Sequence, residues 1–393
     1  MTLDVAGSRV DSLELRYLNG TFAELCRIES PSGSERVCAE RVIAELRALE
    51  VGVEEDDAGP RAGSDCGNLL ARIPASARPG APMGGTLEAG GTPSPARRCI
   101  LLCAHLDTVP LLAPVEPVLV EGYWENANEG VLGADNKAAI AVMLALARHI
   151  RREGSPVDVE LLFTVGEETA LAGARAFDAS QLQSEFGFVF DHASPIGEVV
   201  VDSPTHFRIE ATFHGAAAHA GIRPELGRSA ILAAARAIST LTIVRLDERT
   251  TLNVGTIAGG SAMNVVPERC SFVAEVRSLD EQHAETVVGE LVERVHAAAN
   301  LPECECDVDV DVQRMFSGFH LPATRPAVRA SEAALSRCGY APVRIASGGA
   351  SDANELIAQG LEVVNLANGT EKNHEPGERV SVVALERMLD VSL

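Results

Sequence analysis

The sequence has 393 residues, more than one hydrophobic core usually serves, so two domains are expected. Hydrophobic residues make up 46% and charged residues 23%, which is typical of an ordinary globular protein. The formal net charge of −23 would be repelled by phosphate backbones and anionic lipid, so neither nucleic acid nor a membrane is an expected partner.

Cysteine usage and the absence of long apolar segments predict a cytoplasmic location. The nine cysteines are scattered and form no CxxC pair, which favours reduced, buried thiols over a disulfide framework. The first twenty residues contain neither a basic n-region nor an apolar h-region. The longest apolar run, residues 138–147, is about half as long as a membrane span.

The N-terminal region is predicted to contain a helix, a strand and a loop. Ser32 and Glu35 have the spacing of a capping box, and apolar residues follow them with helical periodicity. A strand is predicted over residues 68–73. Residues 74–95 are rich in Pro, Gly and Ala and lack periodicity, so we expect an exposed loop without chemistry.

The pattern that follows predicts an α/β domain. Residues 99–104 (CILLCA) form a continuous apolar run, as expected for a strand that is buried on both faces. A helix over 137–148 follows, and further buried strands are predicted at 159–165, 186–190 and 361–368. Alternation of this kind predicts a mostly parallel sheet with helices on both faces.

Between these segments the pattern changes to that of an inserted α+β lid-like domain. Its expected elements are strands at 206–215, 250–260 and 270–278 and helices at 228–241 and 281–299. The predicted organisation is therefore a discontinuous catalytic domain, 1–203 and 316–393, interrupted by a domain at 204–315.

Polar residues lie at or just after the ends of predicted strands, where open α/β sheets bind their ligands. They are His105 with Asp107, Asp135, Glu167 with Glu168, Asp191 and His374. Each has a simpler explanation when taken alone. His105 and Asp107 suit any satisfied polar site, Asp135 suits a helix N-cap, and Asp191 and His374 suit solvated loops.

Taken together, these residues predict a two-zinc site. Zinc prefers His nitrogen and carboxylate oxygen, and two zinc ions about 3.5–4 Å apart need a bridging carboxylate plus ligands for each ion. That number is supplied by His105, Glu168, Asp191 and His374, with Asp135 as the bridge. Glu167 remains as a general base, and Asp107 is placed to hold the other ring nitrogen of His105.

The motifs that carry these residues resemble those of a known family. They are AHLDTVP (104–110), GADNKAAIAVML (133–144), GEETALAGARAF (166–177), FVFDH (188–192), HGAAAHAG (214–221), NVVPERCSFVAEVRS (264–278), GGASDANEL (348–356) and NHEPGE (373–378). In order and spacing the chain is similar to the two-zinc metallopeptidases and deacylases that include peptidase T and the glutamate carboxypeptidases. The peptidase T-like branch fits best.

The resemblance implies a role for each matching residue. Asp135 would bridge two zinc ions, with a cis peptide to Asn136, and cobalt or manganese are possible substitutes. Glu167 would be the general base and Glu168 a metal ligand. Further residues would hold the substrate carboxylate or the oxyanion, namely His219, Asn264 and Arg277. A histidine at the His219 position reaches the partner subunit's site in relatives, which implies a homodimer through the inserted domain.

The function predicted from this resemblance is zinc-dependent aminopeptidase action on short peptides. A deacylase or carboxypeptidase acting on N-acyl amino acids would share every ligand and stays open. A catalytically silent scaffold or binding protein is the alternative of another class, but such a protein has no chemical reason to retain the glutamate pair and five ligands. The sequence contains no GxSxG, P-loop or GxGxxG motif.

Overall fold

The computed structural model describes residues 10–76 and 98–393. The predicted loop at 74–95 therefore lies almost entirely outside the described residues. The chain divides into two compact units. Unit 1 comprises Met1–Val201, Leu321–Ala346 and Ser351–Leu393, and unit 2 comprises Asp202–His320 and Ser347–Ala350. The short segment Ser347–Ala350 was not expected in the second unit.

Helices and strands alternate through much of the described chain. The helices are α1 (Ser12–Cys26), α2 (Arg36–Ala48), α3 (Gly59–Ala62), α4 (Ala134–Glu153), α5 (Ala172–Ala176), α6 (Ala230–Ser239), α7 (Glu281–Ala299), α8 (Pro326–Arg337), α9 (Asp352–Ala358) and α10 (Val382–Ser392). The strands are β1 (Val53–Glu55), β2 (Leu69–Ile73), β3 (Cys99–His105), β4 (Pro117–Val120), β5 (Tyr123–Asn126), β6 (Asp158–Thr164), β7 (Phe186–His192), β8 (Glu198–Ser203), β9 (Thr205–His214), β10 (Val244–Arg245), β11 (Thr250–Gly259), β12 (Arg269–Ser278), β13 (Asp307–Phe316), β14 (Phe319–His320), β15 (Val343–Ala346), β16 (Glu362–Ala367), β17 (Thr370–Glu371) and β18 (Arg379–Ser381).

The main sheet of unit 1 has a parallel centre. Its strands follow the order β1-β2-β6-β3-β7-β16-β8, with β15 also paired to β8. The four central strands β6, β3, β7 and β16 pair in parallel, whereas β1, β2 and β8 pair antiparallel with their neighbours. The predicted α/β class is therefore confirmed. Because the central strands run the same way, their carboxyl ends meet at one edge of the sheet.

Helix α4 forms the centre of the unit 1 core. Every residue from Ala134 to Ala147 is buried, and the helix packs against α1, α10, β3 and β7. A helix that is apolar on all sides is stable only when it is enclosed, which accounts for the apolar run at 138–147. The first turn contains the fully buried Lys137, whose ammonium donates a hydrogen bond to the carbonyl of Ile28.

A second, smaller sheet in unit 1 has the order β17-β18-β5-β4. It joins the hairpin β4–β5 to the segment that follows β16, through antiparallel pairs between β18 and β5. The hairpin turns at Glu121 and Gly122, both with positive φ. These short strands were not predicted, and they fix the backbone on both sides of His374.

Unit 2 is an antiparallel sheet covered by two helices. Its strand order is β10-β11-β12-β9-β13, and alternate residues of β9 and β12 are buried against α6 and α7. Helix α6 begins after Ser229, whose hydroxyl accepts the N–H of Leu232. This module agrees with the predicted α+β pattern.

The predicted capping box at Ser32 and Glu35 is wrong. Helix α2 begins at Arg36 and has no side-chain cap. The Ser32 hydroxyl instead donates to Asp107 Oδ2 at 2.7 Å. The buried carboxylate of Glu35 accepts hydrogen bonds from the Ser64 hydroxyl and from the backbone of Gly166. Long-range partners have replaced the local cap.

Among the described helices, none combines the length and the apolar character that a membrane crossing requires. Eight of the nine cysteines are buried free thiols.

Candidate metal centre

Asp135 lies at the centre of the polar cluster, on the non-helical first turn of α4. Its φ and ψ are −82° and 105°, and its peptide bond to Asn136 is cis. Asp135 is 8% exposed, and its two carboxylate oxygens face different histidines. Oδ1 lies 3.4 Å from His105 Nε2, and Oδ2 lies 3.3 Å from His374 Nε2. The side chain faces these imidazoles rather than capping the helix.

The first group of candidate ligands surrounds His105, the last residue of β3. Its Nδ1 donates to the backbone carbonyl of Asp107 at 3.0 Å, so in the neutral ring the lone pair is on Nε2. Nε2 lies 3.5 Å from Oδ1 of Asp191, near the end of β7. One ligand atom from each of His105, Asp135 and Asp191 lies within 4.8 Å of the other two.

The second group combines Asp135 with Glu168 and His374. His374 Nε2 lies 2.7 Å from Glu168 Oε1, and the three ligand atoms again lie within 4.8 Å of one another. The His374 side chain is half exposed. His374 has a φ of 67°, an uncommon conformation for a residue other than glycine. Asp135 thus belongs to both groups.

The Glu167 carboxylate lies near the first group of candidate ligands but is not one of its three members. One of its carboxylate oxygens lies within 4.8 Å of a ring nitrogen of His105 and of an oxygen of Glu168. Burial and the neighbouring charge of Asp191 raise the pKa of Glu167 well above its ordinary value. The side chains of the glutamate pair therefore reach the same site from one loop.

Two oxygens in this cluster suit a cation. Asp135 Oδ1 and Glu168 Oε1 are buried, and each faces an imidazole Nε2, that of His105 at 3.4 Å and that of His374 at 2.7 Å. Buried carboxylate oxygens are costly unless a hydrogen bond or a cation compensates them. Imidazole nitrogen and carboxylate oxygen are also the donors that zinc, cobalt and manganese accept. The residues present therefore fit a metal pair.

Protonation of the two histidines shows how strong the negative potential is. Burial opposes the charged form of His105, but the charge of Asp191 and hydrogen bonds to Asp107 and Asp135 outweigh it, so its pKa is well above the usual value. Hydrogen bonds to Asp135 and Glu168 raise the pKa of His374 to about 10. Protons thus occupy the positions that a metal would take.

The loop that carries Glu167 and Glu168 is held by buried carboxylates. Asp107 accepts the backbone N–H of Glu167 on Oδ1 at 3.0 Å and that of Glu168 on Oδ2 at 3.1 Å. Glu35 accepts the N–H of Gly166 at 3.1 Å. Burial favours the neutral form of Asp107, but hydrogen bonds, chiefly from His105, lower its pKa below the ordinary range.

The residues predicted in the inserted domain all lie in unit 2. His219 and Asn264 are exposed, and their segments run side by side, with the N–H of Ala220 donating to the Asn264 carbonyl at 2.9 Å. Arg277, on β12, contacts Glu275 Oε2 at 3.2 Å and lies over the ring of Phe316.

Sequence reasoning missed several residues that support the cluster. Glu378 accepts three backbone N–H groups of the loop before α4, and the Asn373 amide donates to Asp135 Oδ2 at 2.8 Å. Asp352 is buried and accepts the Thr164 hydroxyl, and burial raises its pKa to about 6. Glu378, Asn373 and Asp352 lie inside recognised motifs, which was the available signal.

Two family models match segments of the chain. The family model described as a peptidase dimerisation domain matches residues 205–300, and that of peptidase family M28 matches residues 85–216. The chain is 31% identical to the uncharacterized protein YqjE of Bacillus subtilis over 94% of its length and 95% of that protein.

Solved structures give the same result. Aminopeptidase PepT from Bacillus cereus has a TM-score of 0.84 and 32% identity, with 96% of each chain covered. A tripeptidase from Staphylococcus aureus has a TM-score of 0.86 and 29% identity, covering 96% of this chain and 97% of its own. With two ligand groups that share Asp135, the chain belongs to the peptidase T-like family of M20 metallopeptidases.

Proposed function

We propose that this protein is a zinc-dependent aminopeptidase that acts on short peptides. The observation that carries the proposal is the position of Asp135, which faces His105 with one oxygen and His374 with the other. This is the arrangement that a carboxylate needs to bridge two metal ions. The family and the names of the similar solved structures support the choice of a peptide substrate.

The two groups would each hold one metal ion. His105 and Asp191 would bind the first, Glu168 and His374 the second, and Asp135 both. Zinc is proposed because both groups offer one imidazole and otherwise carboxylates, although cobalt or manganese suit the same donors. When bound, the ion pair would polarise the scissile carbonyl and activate a water molecule.

Glu167 is proposed as the general base and acid. Burial and the charge of Asp191 raise its pKa, and bound cations would lower that pKa again. Glu167 would take a proton from the attacking water and deliver it to the leaving amine. Asp107 and Glu35 would keep Glu167 in place through its loop, since they hold the amides of Gly166, Glu167 and Glu168.

Residues of unit 2 would bind the substrate. Arg277 donates to Glu275 and to the Gly348 carbonyl and has further guanidinium N–H groups, and a guanidinium suits a carboxylate through two parallel bonds. His219 accepts the N–H of Gly221 on Nδ1 at 3.2 Å, so a neutral ring carries its proton on Nε2. That exposed N–H could stabilise an oxyanion, with Asn264 beside it.

A homodimer is proposed through the β11 edge of the unit 2 sheet. Strand β10 pairs with Thr251 and Leu252, and no other described strand pairs with this edge of β11. Exposed apolar side chains flank that edge, including Ile257 at 52% and Ile231 at 40% exposure. The opposite edge strand, β13, instead presents Asp307, Asp309 and Asp311. Like charges would oppose self-pairing there, so β11 is the edge suited to a second copy.

Because of the state of its cysteines, we propose that the protein resides in a reducing compartment such as the cytoplasm. Eight of the nine are buried free thiols. Structural disulfides are typical of oxidising compartments, whereas buried free thiols persist in a reducing one.

Substrate class is tested with the purified, zinc-loaded protein and a panel of dipeptides, tripeptides and N-acyl amino acids. We expect release of the N-terminal residue from tripeptides, loss of that activity on chelation, and its return with zinc. Cleavage of N-acyl amino acids alone would assign a deacylase or carboxypeptidase instead. A protein that binds zinc and cleaves nothing on the panel would contradict the proposed enzyme.

Replacement of Glu167 by Gln separates chemistry from metal binding. We expect turnover to fall by about 10²–10⁴-fold, the usual contribution of a general base, while metal content stays that of the wild type. Glu168→Gln is the matched comparison and should lose metal, since Glu168 is a proposed ligand. Near wild-type turnover in Glu167→Gln would remove its catalytic role.

The dimer edge is tested by introducing a charge on β11 and, separately, on the opposite edge strand β13 of the unit 2 sheet. Ile257→Asp on β11 should shift the protein towards the monomer in sedimentation velocity, because two carboxylates would meet across the interface. Val312→Asp on β13, which is 40% exposed, is the control and should leave assembly unchanged. The opposite pattern would assign the dimer to β13.

The role of His219 is tested by mixing two inactive variants. Glu167→Gln and His219→Ala subunits, exchanged to equilibrium, should recover about one quarter of wild-type activity. Half of the dimers would then be mixed, and each would contain one site with Glu167 from one subunit and His219 from the other. No recovery in a mixture shown to contain mixed dimers would mean that His219 acts only in its own subunit.

A further inference from the structure

Glu378 is buried, and both of its carboxylate oxygens accept hydrogen bonds from the backbone near Asp135. It is 2% exposed. Oε2 accepts the backbone N–H groups of Leu132 at 2.8 Å and Gly133 at 2.7 Å, and Oε1 accepts that of Asp135 at 2.9 Å. Leu132 and Gly133 directly precede α4, and Asp135 lies on its non-helical first turn. The carboxylate therefore holds the backbone of the residue that faces both histidines.

The backbone of Glu378 is itself fixed. It follows His374 by four residues, and its N–H donates to the Glu375 carbonyl at 3.1 Å. The next residues form β18, which pairs with β5 and β17. Glu378 thus connects the segment that carries His374 to the loop that carries Asp135.

The loop needs an external acceptor of this kind. Gly133 has a φ of 74°, and Asp135 and Asn136 have non-helical dihedral angles, so the first turn cannot satisfy its own N–H groups. A carboxylate at a helix N-terminus also interacts favourably with the helix dipole. Its burial nevertheless makes this position an expensive one for a charge. A role beyond packing would explain why a carboxylate stands there.

We infer that Glu378 is a positioning residue that sets the spacing between Asp135 and His374, and so pre-forms the metal site that these residues share with Glu168. The inference rests on the proposed function, in which those residues bind a metal. Glu378 touches none of the ligand oxygens and acts only through the backbone of Asp135. Its loss should therefore weaken the site containing His374 more than the site of His105 and Asp191.

The test is a zinc titration of the full-length metal-free protein by calorimetry, with Glu378→Gln and the control Glu375→Gln. Glu375 is exposed in the same loop, so its substitution removes an equal charge without touching Asp135. A Gln at 378 turns one acceptor into a donor that faces backbone N–H groups. We expect one of the two zinc sites to weaken by about 10–100-fold, the usual effect of removing a residue that orients a ligand.

Two further measurements distinguish positioning from folding. Excess zinc should restore kcat in Glu378→Gln, and thermal unfolding of the metal-free variant should remain cooperative. If Glu378→Gln does not fold, Glu378→Asp decides, because it keeps the charge and both acceptors on a side chain one methylene shorter. It should again weaken one zinc site more than the other.

Several outcomes overturn the inference. The first is wild-type zinc affinity at both sites in folded Glu378→Gln, or in Glu378→Asp if Glu378→Gln does not fold. The second is equal weakening of both sites. The third is the absence of zinc binding by the wild-type protein. Two tight zinc sites without peptide cleavage would defeat the proposed enzyme alone, since the titration reads metal affinity and not turnover.

Discussion

The structure depends on the mutual repulsion of carboxylates gathered in a small, mostly buried space. Asp135, Glu167, Glu168 and Asp191 all lie around the two imidazoles of His105 and His374. In a low-dielectric site, such charges cannot all remain ionised without compensation. Protonated imidazoles supply part of it here, and bound cations would supply the rest. Burial and the charge of Asp135 raise the pKa of Asp191, and hydrogen bonds to Asp135 and Glu168 raise the pKa of His374. Both shifts follow from the same crowding of carboxylates.

The fold meets this constraint by holding the loops instead of the ligand side chains. Asp107, Glu35 and Glu378 are buried carboxylates whose hydrogen bonds go mainly to backbone N–H groups of the ligand-bearing segments. Asn365 does the same for Asp191, accepting its N–H at 3.0 Å. The ligand oxygens are thereby left free of competing donors, with the exception of the Asn373 contact to Asp135.

The parts of this arrangement that could be predicted from the sequence are those with a local signal. The strand ends marked by His105 and Asp191 follow from apolar runs, because parallel strands bring such ends to one edge. The buried helix after Asp135 follows from its composition. The ligand set itself came from the order and spacing of motifs, which carry information that a single residue lacks.

What could not be predicted depends on contacts between distant segments. Glu35 stands at capping-box spacing from Ser32, yet its carboxylate binds Gly166, 131 residues further along the chain. The Ser32 hydroxyl donates a hydrogen bond to Asp107, 75 residues away. Local spacing cannot reveal that a tertiary partner offers a better hydrogen bond than the nearby helix terminus does. The short strands around Glu378 were missed for a related reason, since two or three residues are too few to show periodicity.

The carboxylates that bind backbone amides also have a consequence for dynamics. Loop amides usually exchange their hydrogens with solvent quickly, because few of them are held in stable bonds. Six loop or turn amides donate to Glu35, Asp107 or Glu378, namely those of Leu132, Gly133, Asp135, Gly166, Glu167 and Glu168. Their exchange is therefore tied to opening of the core that buries these carboxylates. We therefore expect the amides at the centre of the site to exchange as slowly as those of the unit 1 interior, although this backbone is irregular.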